Sequence, residues 1–314
     1  MSETDLHVIF GAGPVGLAVM DELIARGKQV RIVSRSGRVE APKGIEVEGG
    51  DAADLEFTER VCQGASVVYS CCSPPYDKWA ELFPPLLNGI IVGAVHAGSR
   101  LVSMENLYMY GETRGKHLTE DLSYDALTRK GMIRARMAEE IMSAHQSGRI
   151  RAVSARASDF FGPRALLAGM GDRVFYPALA GKKVQVLGDP DLAHTMTFVP
   201  DIARALVLLG EKDEALGKIW HIPSPETVTV RDFIERVFAA AGKKPKISSV
   251  PRVMVKLMGA FLPVMRELHE MLYLWEEPFV MDHSRFERAF GFEATPLDEA
   301  ITQTVEWFRS HPKA

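Results

Sequence analysis

The first apolar run of the chain, His7 to Phe10 (HVIF), ends directly in Gly11-Ala12-Gly13-Pro14-Val15-Gly16. Beyond the glycines, Leu17, Met20, Leu23 and Ile24 recur at the spacing of one helix face, and Val30-Arg31-Ile32-Val33 follows as a second short apolar run. This pattern predicts strand, glycine turn, helix and strand. Further along, Gly50-Asp51-Ala52-Ala53-Asp54 reads as a turn opening a helix, and Ala65 to Ser70 as an apolar strand. Later runs predict a strand around Leu101 and Val102, a helix over Thr128 to Glu140, a strand over Ile150 to Ala155, and helices over Ile202 to Leu209 and Leu297 to Ser310. Alternating elements of this kind imply an α/β fold with a parallel sheet.

The glycine turn brings in chemistry. Gly11 permits a tight turn, Gly13 lets backbone approach a pyrophosphate, Pro14 and Val15 open the helix, and Gly16 allows close helix–strand packing. Phosphates would settle on the free amides at the helix start. At the end of the second strand stand Ser34-Arg35-Ser36, with Arg38 behind them. A guanidinium and two hydroxyls suit a ribose 2′-phosphate, so the expected cofactor is NADP(H) rather than NAD. Asp51 and Ala52 are candidates for the adenine end of the site, although Asp51 or Asp54 would serve equally as a helix cap. Cys71, Cys72 and Ser73 follow the strand ending at Ser70, where small side chains make room for a cofactor; no neighbouring histidine activates either thiol.

Composition narrows the class without changing this picture. The 314 residues are 46% hydrophobic and carry a net charge of −4, which argues against a nucleic-acid binder. Three cysteines, two of them adjacent, offer no disulfide framework, and no His/Cys/Asp/Glu group has metal-ligand spacing. The start lacks the pattern of a signal peptide, and no run of about 18 uninterrupted apolar residues occurs. The expectation is a soluble cytoplasmic protein without metal or membrane association, acting on a small molecule, with a homodimer allowed.

Several blocks together carry a resemblance: the glycine turn, GDAAD, RLVSMENLYMYG (Arg100 to Gly111), VSARASDFFGPR (Val153 to Arg164), TFVPDIARALVLL (Thr197 to Leu209) and GKIWHIPSPETVTVRDFIERV (Gly217 to Val237). The chain resembles the extended short-chain dehydrogenase/reductase superfamily, the NAD-dependent epimerase/dehydratase branch, over nearly its whole length. The resemblance implies a Rossmann-type doubly wound parallel sheet with a smaller, mainly helical C-terminal substrate lobe. Residues 1–155 would form the NADP-binding domain, with return segments near 197–222, and residues 156–314 mostly the substrate lobe.

That family's usual catalytic set is a Ser or Thr before the YG of the loop and a Tyr-x-x-x-Lys on the next helix. Here the serine position falls on Asn106, or on Glu105 or Ser103 if the register shifts, and the helix TRKGMIRARMAEE supplies no tyrosine. The chain is therefore read as an atypical member. Lys130 and Arg134 share one helical face, and the isoflavone-reductase-like branch of the superfamily uses a similar Lys-x-x-x-Arg arrangement with NADPH. The catalytic candidates are Lys130 as proton donor, Asn106 as the amide that polarises a carbonyl, Arg134 as ribose contact or support for the lysine, and Tyr108 as rival donor. Tyr110 and Tyr124 are further rivals, and a water-facing basic helix is the plain alternative. Arg156, Ser158 and Asp159 come at the end of the strand Ile150 to Ala155, where cofactor and substrate meet in this fold; Asp159-Phe160-Phe161-Gly162-Pro163 resembles the family's block that closes over the nicotinamide, and Lys130 and Ser158 complete the cofactor set. Asp201 reads as the cap of the helix Ile202 to Leu209.

The Met-rich stretch Val250 to Phe279 has few polar anchors and suggests a substrate less polar than a nucleotide sugar. The expected activity is NADPH-dependent oxidoreduction of a carbonyl or conjugated carbon. A catalytically silent NADP(H)-sensing protein and a sugar-nucleotide epimerase or dehydratase are the alternatives.

Overall fold

The structure is a computed structural model in which residues 5–250 and 270–313 are described. In chain order the elements are β1 (Leu6–Phe10), α1 (Pro14–Ala25), β2 (Gln29–Ser34), β3 (Glu46–Gly49), α2 (Leu55–Cys62), β4 (Ala65–Ser70), α3 (Trp79–Ala97), β5 (Arg100–Glu105), α4 (Arg129–Gln146) and β6 (Arg151–Arg156). They continue with β7 (Asp159–Phe161), α5 (Asp172–Leu179), β8 (Val184–Leu187), β9 (Ala193–His194), β10 (Met196–Phe198), α6 (Val199–Glu211), β11 (Ile219–His221), β12 (Val228–Thr229), α7 (Val230–Ala240), β13 (Ile247–Val250), α8 (Ser284–Phe290) and α9 (Leu297–Ser310).

The chain divides into two units. The first comprises Met1–Met109, Arg129–Arg156 and Ile202–Trp220; the second comprises Tyr110–Thr128, Ala157–Asp201 and His221–Ala314. Tyr110–Thr128 thus falls in the second unit, although the sequence reading leaves this segment in the first domain.

A seven-stranded sheet in the order β11-β6-β5-β4-β1-β2-β3 organises the first unit. The pairs β1–β2, β1–β4, β2–β3, β4–β5 and β5–β6 are all parallel. Strand order reverses between β1 and β4, which makes a topological switch point at the carboxyl ends of those strands, where open α/β sheets bind ligands. Strands β1 and β4 are almost wholly buried, as expected of apolar runs covered by helices on both faces. Helix α3 with its preceding turn, Tyr76–Ala97, is long and apolar enough to cross a membrane by length and composition. Its Phe83, Leu87, Ile90 and Ile91 instead enter the core of this unit.

The second unit has its own apolar core, built from Phe161, Phe175, Phe198, Phe233, Phe238 and Phe308 among others. Three two-stranded sheets, β10-β7, β12-β9 and β13-β8, frame it, so it is less exclusively helical than the resemblance implies. Asp201 does not cap a helix. Helix α6 begins two residues earlier, at Val199, and the buried Asp201 carboxylate accepts hydrogen bonds from Thr295 N at 2.8 Å and Thr295 Oγ1 at 2.9 Å. Of the Met-rich stretch, Met254, Phe261 and their neighbours lie outside the described residues; Met271 is described and buried.

Candidate functional site

The glycine turn forms as its spacing dictates. Gly11 has φ +110°, and a Cβ there would fall 2.7 Å from Cys72 N; at Gly16 it would fall 1.9 Å from Gly11 O. Neither position admits a side chain without backbone movement. At Gly13 a Cβ would meet nothing within 4 Å. The glycine whose proposed task is backbone approach therefore borders open space, at the N-cap of α1 with Pro14 in the first turn. Val15 and Gly16 are buried in the helix and serve packing.

Ser34 ends β2 with its Oγ buried and without a hydrogen-bond partner among the described residues. A ligand hydroxyl or phosphate oxygen would satisfy it. Arg35 and Ser36 are exposed beside it, and Ser36 Oγ accepts from Arg38 N at 3.3 Å. Asp54 is the cap of α2, accepting from Phe57 N. Asp51, exposed, closes a turn by accepting from Ala53 N at 2.9 Å, while Ala52 is buried. Cys71 and Cys72 continue β4 past the glycine turn; burial raises both thiols, Cys72 to about 11, so neither is a thiolate near neutrality. Ser73 is exposed. These residues fit a dinucleotide: an open backbone cradle, an orphaned hydroxyl, and an exposed guanidinium beside it.

The basic helix face is not solvated. Lys130 is 2% exposed and Arg134 5%, whereas Arg129 and Arg136 on the same helix face water. Lys130 Nζ lies over the Tyr76 ring at 4.2 Å from its centroid and 6.0 Å from that of Trp79. Arg134 lies over Phe83 at 5.2 Å and donates to Met104 O at 3.4 Å, while its Nε has no partner among the described residues. Burial lowers the Arg134 pKa and the charge of Glu105 opposes that shift; the guanidinium remains a cation.

Glu105, at the end of β5, accepts from Arg156 Nε at 3.0 Å, and both side chains are almost fully buried. Its Oε1 has no partner among the described residues. Asn106 follows immediately and its Oδ1 accepts from Tyr108 N at 3.3 Å. That bond fixes the carboxamide and leaves its NH2 as the group to offer a ligand. The ring of Tyr108 stacks on Trp79, with centroids 5.9 Å apart. The first unit thus brings together Lys130, Arg134, Glu105, Tyr108 and the aromatic pair Tyr76 and Trp79, with Asn106 adjoining them in the chain. Sequence reasoning missed the aromatic pair; the signal was Pro74-Pro75-Tyr76 emerging from the carboxyl end of β4.

In the second unit, Ser158 N donates to Thr197 Oγ1 at 3.1 Å, and its buried Oγ has no partner among the described residues. Asp159 accepts from His194 Nε2 at 2.9 Å, and the imidazole stacks on Trp275 with centroids 4.3 Å apart. The hydroxyl of Tyr110 is engaged with His221 Nε2 at 2.8 Å, a buried bond. His221 Nδ1 lies 2.9 Å from Asp282 O, which makes it the protonated nitrogen and leaves Nε2 to accept from the tyrosine. Tyr110 is thereby tied into its own unit, and Tyr124 meets its ring edge to face at 6.0 Å. Among the described residues no group of three or more His, Cys, Asp or Glu is arranged to hold a metal ion.

Residues 8–222, spanning the sheet and its glycine turn, match the NAD dependent epimerase/dehydratase family. The chain belongs to that family. Its fold is shared by solved members at low identity. A Methanothermobacter thermautotrophicus epimerase, Mth375, is 19% identical with a TM-score of 0.81, covering 98% of this chain and 93% of its own. The Thermotoga maritima UDP-glucose 4-epimerase, solved with UDP-glucose, is 19% identical with a TM-score of 0.78 over 98% and 99% of the two chains. The Thermus thermophilus UDP-glucose 4-epimerase, solved with NAD, is 21% identical with a TM-score of 0.77 over 97% and 99%. Curated protein sequences give no match.

Proposed function

We propose that the protein is an NADPH-dependent reductase of a carbonyl or conjugated carbon, an atypical member of its family. The observation that carries this reading is the burial of Lys130 with Arg134 one turn away, beside the loop that holds Asn106. Burial makes a solvated basic face a poor account of them, and the Tyr76 and Phe83 rings with the Glu105 charge hold the two cations in place beside that loop.

Gly11, Gly13 and Gly16 would hold the pyrophosphate end of the cofactor, and Ser34, Arg35 and Ser36 its 2′-phosphate. The nicotinamide, when bound, exchanges hydride at its C4. Everything else falls to the chain. Asn106, its Oδ1 already engaged, donates from its NH2 to the substrate oxygen and polarises the carbonyl. Lys130 gives a proton to that oxygen as negative charge develops on it. Arg134, whose Nε has no partner among the described residues, takes a ribose hydroxyl or holds the lysine in place.

The test is NADPH oxidation against a panel of aldehydes, ketones and enones. Lys130→Met is expected to lower kcat by about a hundredfold, the scale of general acid catalysis, beyond any loss of NADPH affinity, which titration with the cofactor measures separately. If NADPH binds but neither a panel member nor UDP-glucose is turned over, the cofactor-sensing alternative is favoured. A second reading, epimerisation or dehydration of a sugar nucleotide, is favoured by relatives described as UDP-glucose 4-epimerases. It predicts turnover of UDP-glucose with bound NAD, which the reductase reading does not.

A further inference from the structure

Two lysine-rich segments of the second unit meet at one end of the sheet β13-β8. Lys182 and Lys183 follow α5, which ends at Leu179; Lys243, Lys244 and Lys246 follow α7, which ends at Ala240. The two strands pair in parallel from Val184 and Ile247, so Lys183 and Lys246 stand just ahead of the first pair. Lys246 Nζ donates to Gly181 O at 2.8 Å, and a Cβ built at Gly181 would lie 3.6 Å from Lys243 Cδ. Backbone bonds fix both segments: Lys182 N donates to Pro177 O at 2.8 Å, Lys243 N to Phe238 O at 2.9 Å and Val184 N to Lys246 O at 2.8 Å.

All five lysines are exposed. The segments that carry them, residues 178–187 and 238–250, contain no Asp, Glu or Arg, and among the described residues no carboxylate pairs with any of the five. Helix capping accounts for part of this charge. Two helix C-termini together present about one negative charge, and Lys246 answers it directly at Gly181 O. Lys182, Lys183, Lys243 and Lys244 remain together without a counter-charge. The net charge of −4 conceals them, because the acidic residues lie elsewhere in the chain.

We propose that this lysine cluster is a docking surface for anionic phospholipid headgroups, which brings the protein reversibly to a negatively charged membrane. Basic clusters of this size act through the field of the leaflet, each lysine strengthening binding roughly fivefold. Composition favours lipid over nucleic acid. No arginine in the two segments offers a fork to a base edge, and their sole aromatic, Phe238, is buried and offers no face for stacking. Such a contact needs no spanning segment, and it departs from the expectation of a protein without membrane association. It is independent of the reductase reading.

Co-sedimentation of the full chain tests this, using vesicles of phosphatidylcholine alone and of phosphatidylcholine with about 30% phosphatidylserine, at about 0.1 M salt. Binding to the anionic vesicles is expected to be about a hundredfold tighter than to the neutral ones, and mostly lost at about 0.5 M salt. Lys182→Gln, Lys183→Gln, Lys243→Gln and Lys244→Gln combined should bring it near the neutral level. The same change at the exposed Lys43, Lys116, Lys212 and Lys218 alters net charge equally and should cost less than about fivefold. Melting temperature is the folding control; where the first combination does not fold, Lys182→Gln with Lys243→Gln, expected to lose about twenty-fivefold, replaces it. Equal binding to both vesicle types, no binding to either, or equal losses in the two sets of variants overturns the inference. So does tighter binding to polyuridylate RNA than to the anionic vesicles at equal concentration of negative charge.

Discussion

Arg35 and Lys130 are both basic residues near the carboxyl edge of one sheet, yet their surroundings give them opposite tasks. Arg35 is exposed and adjoins Ser34, whose buried hydroxyl has no partner among the described residues, so under the proposed reading its value would lie in reaching an anion that arrives with the ligand. Lys130 is buried against aromatic rings, so its value lies in a fixed position. Arg35→Ser is therefore expected to weaken NADPH binding by about tenfold or more, the worth of a charge-assisted hydrogen bond, and to leave NADH binding nearly unchanged. Fluorescence titration with the two reduced cofactors reads this directly. Equal losses for both would mean that Arg35 does not discriminate the 2′-phosphate.

At the scale of elements, the glycines of α3 do what those of the cofactor turn do, with no ligand involved. Gly89 and Gly93 lie one turn apart, Gly89 against the turn ahead of α2 and Gly93 against α2 itself: a Cβ at Gly89 would sit 1.9 Å from Ala52 O, and one at Gly93 would sit 2.8 Å from Thr58 O and Cys62 Sγ. Helix–helix approach here is set by missing side chains. Gly89→Ala must push α3 away from the Ala52 turn and should destabilise the protein by about 1–3 kcal/mol, the cost of overpacking, measured as a shift in the urea midpoint. Because Ala52 borders the expected adenine end, cofactor affinity should fall with it.

The same elements show what could be read beforehand. Strand β4 forms over Ala65–Ser70 and α9 over Leu297–Ser310, at the bounds their apolar patterns predict; β1 and β2 extend theirs by a residue or two. Such patterns are local and record burial directly. The glycine turn was legible for the same reason, since φ and close approach are properties of a few consecutive residues. The surroundings of Lys130 were not, because they depend on Tyr76 and Trp79, more than fifty positions away in the chain. The role of Asp201 was misread because its partner, Thr295, arrives from a distant segment. Side-chain partnerships made over long separations leave no periodic trace.

The stability of the whole molecule should carry a pH dependence written at the opposite end of the sheet from the cofactor turn. His7, in β1, is 2% exposed; its Nδ1 lies 3.1 Å from the buried Tyr69 hydroxyl and its Nε2 3.3 Å from Asp5. Burial pulls its pKa below the usual 6.5, Lys28 adds to the shift, and Asp5 and Glu211 oppose it. Desolvation wins, so the folded state holds His7 neutral where the unfolded chain accepts a proton. Stability then rises with pH across this interval: the contribution is intact above about 6.5 and is lost progressively as pH falls from there toward the lowered folded value, below which the loss is complete. Carboxylates titrate at lower pH and would confuse the raw profile, so the comparison must be differential. His7→Gln keeps a polar side chain near Tyr69 and Asp5 but cannot take up the proton. Between pH 7.5 and 5.5 the melting temperature of the unaltered protein should therefore drop further than that of the variant by scanning calorimetry, even if the variant starts lower. Parallel profiles would mean that His7 titrates alike in both states, and that Asp5 and Glu211 compensate its burial and the Lys28 charge in full.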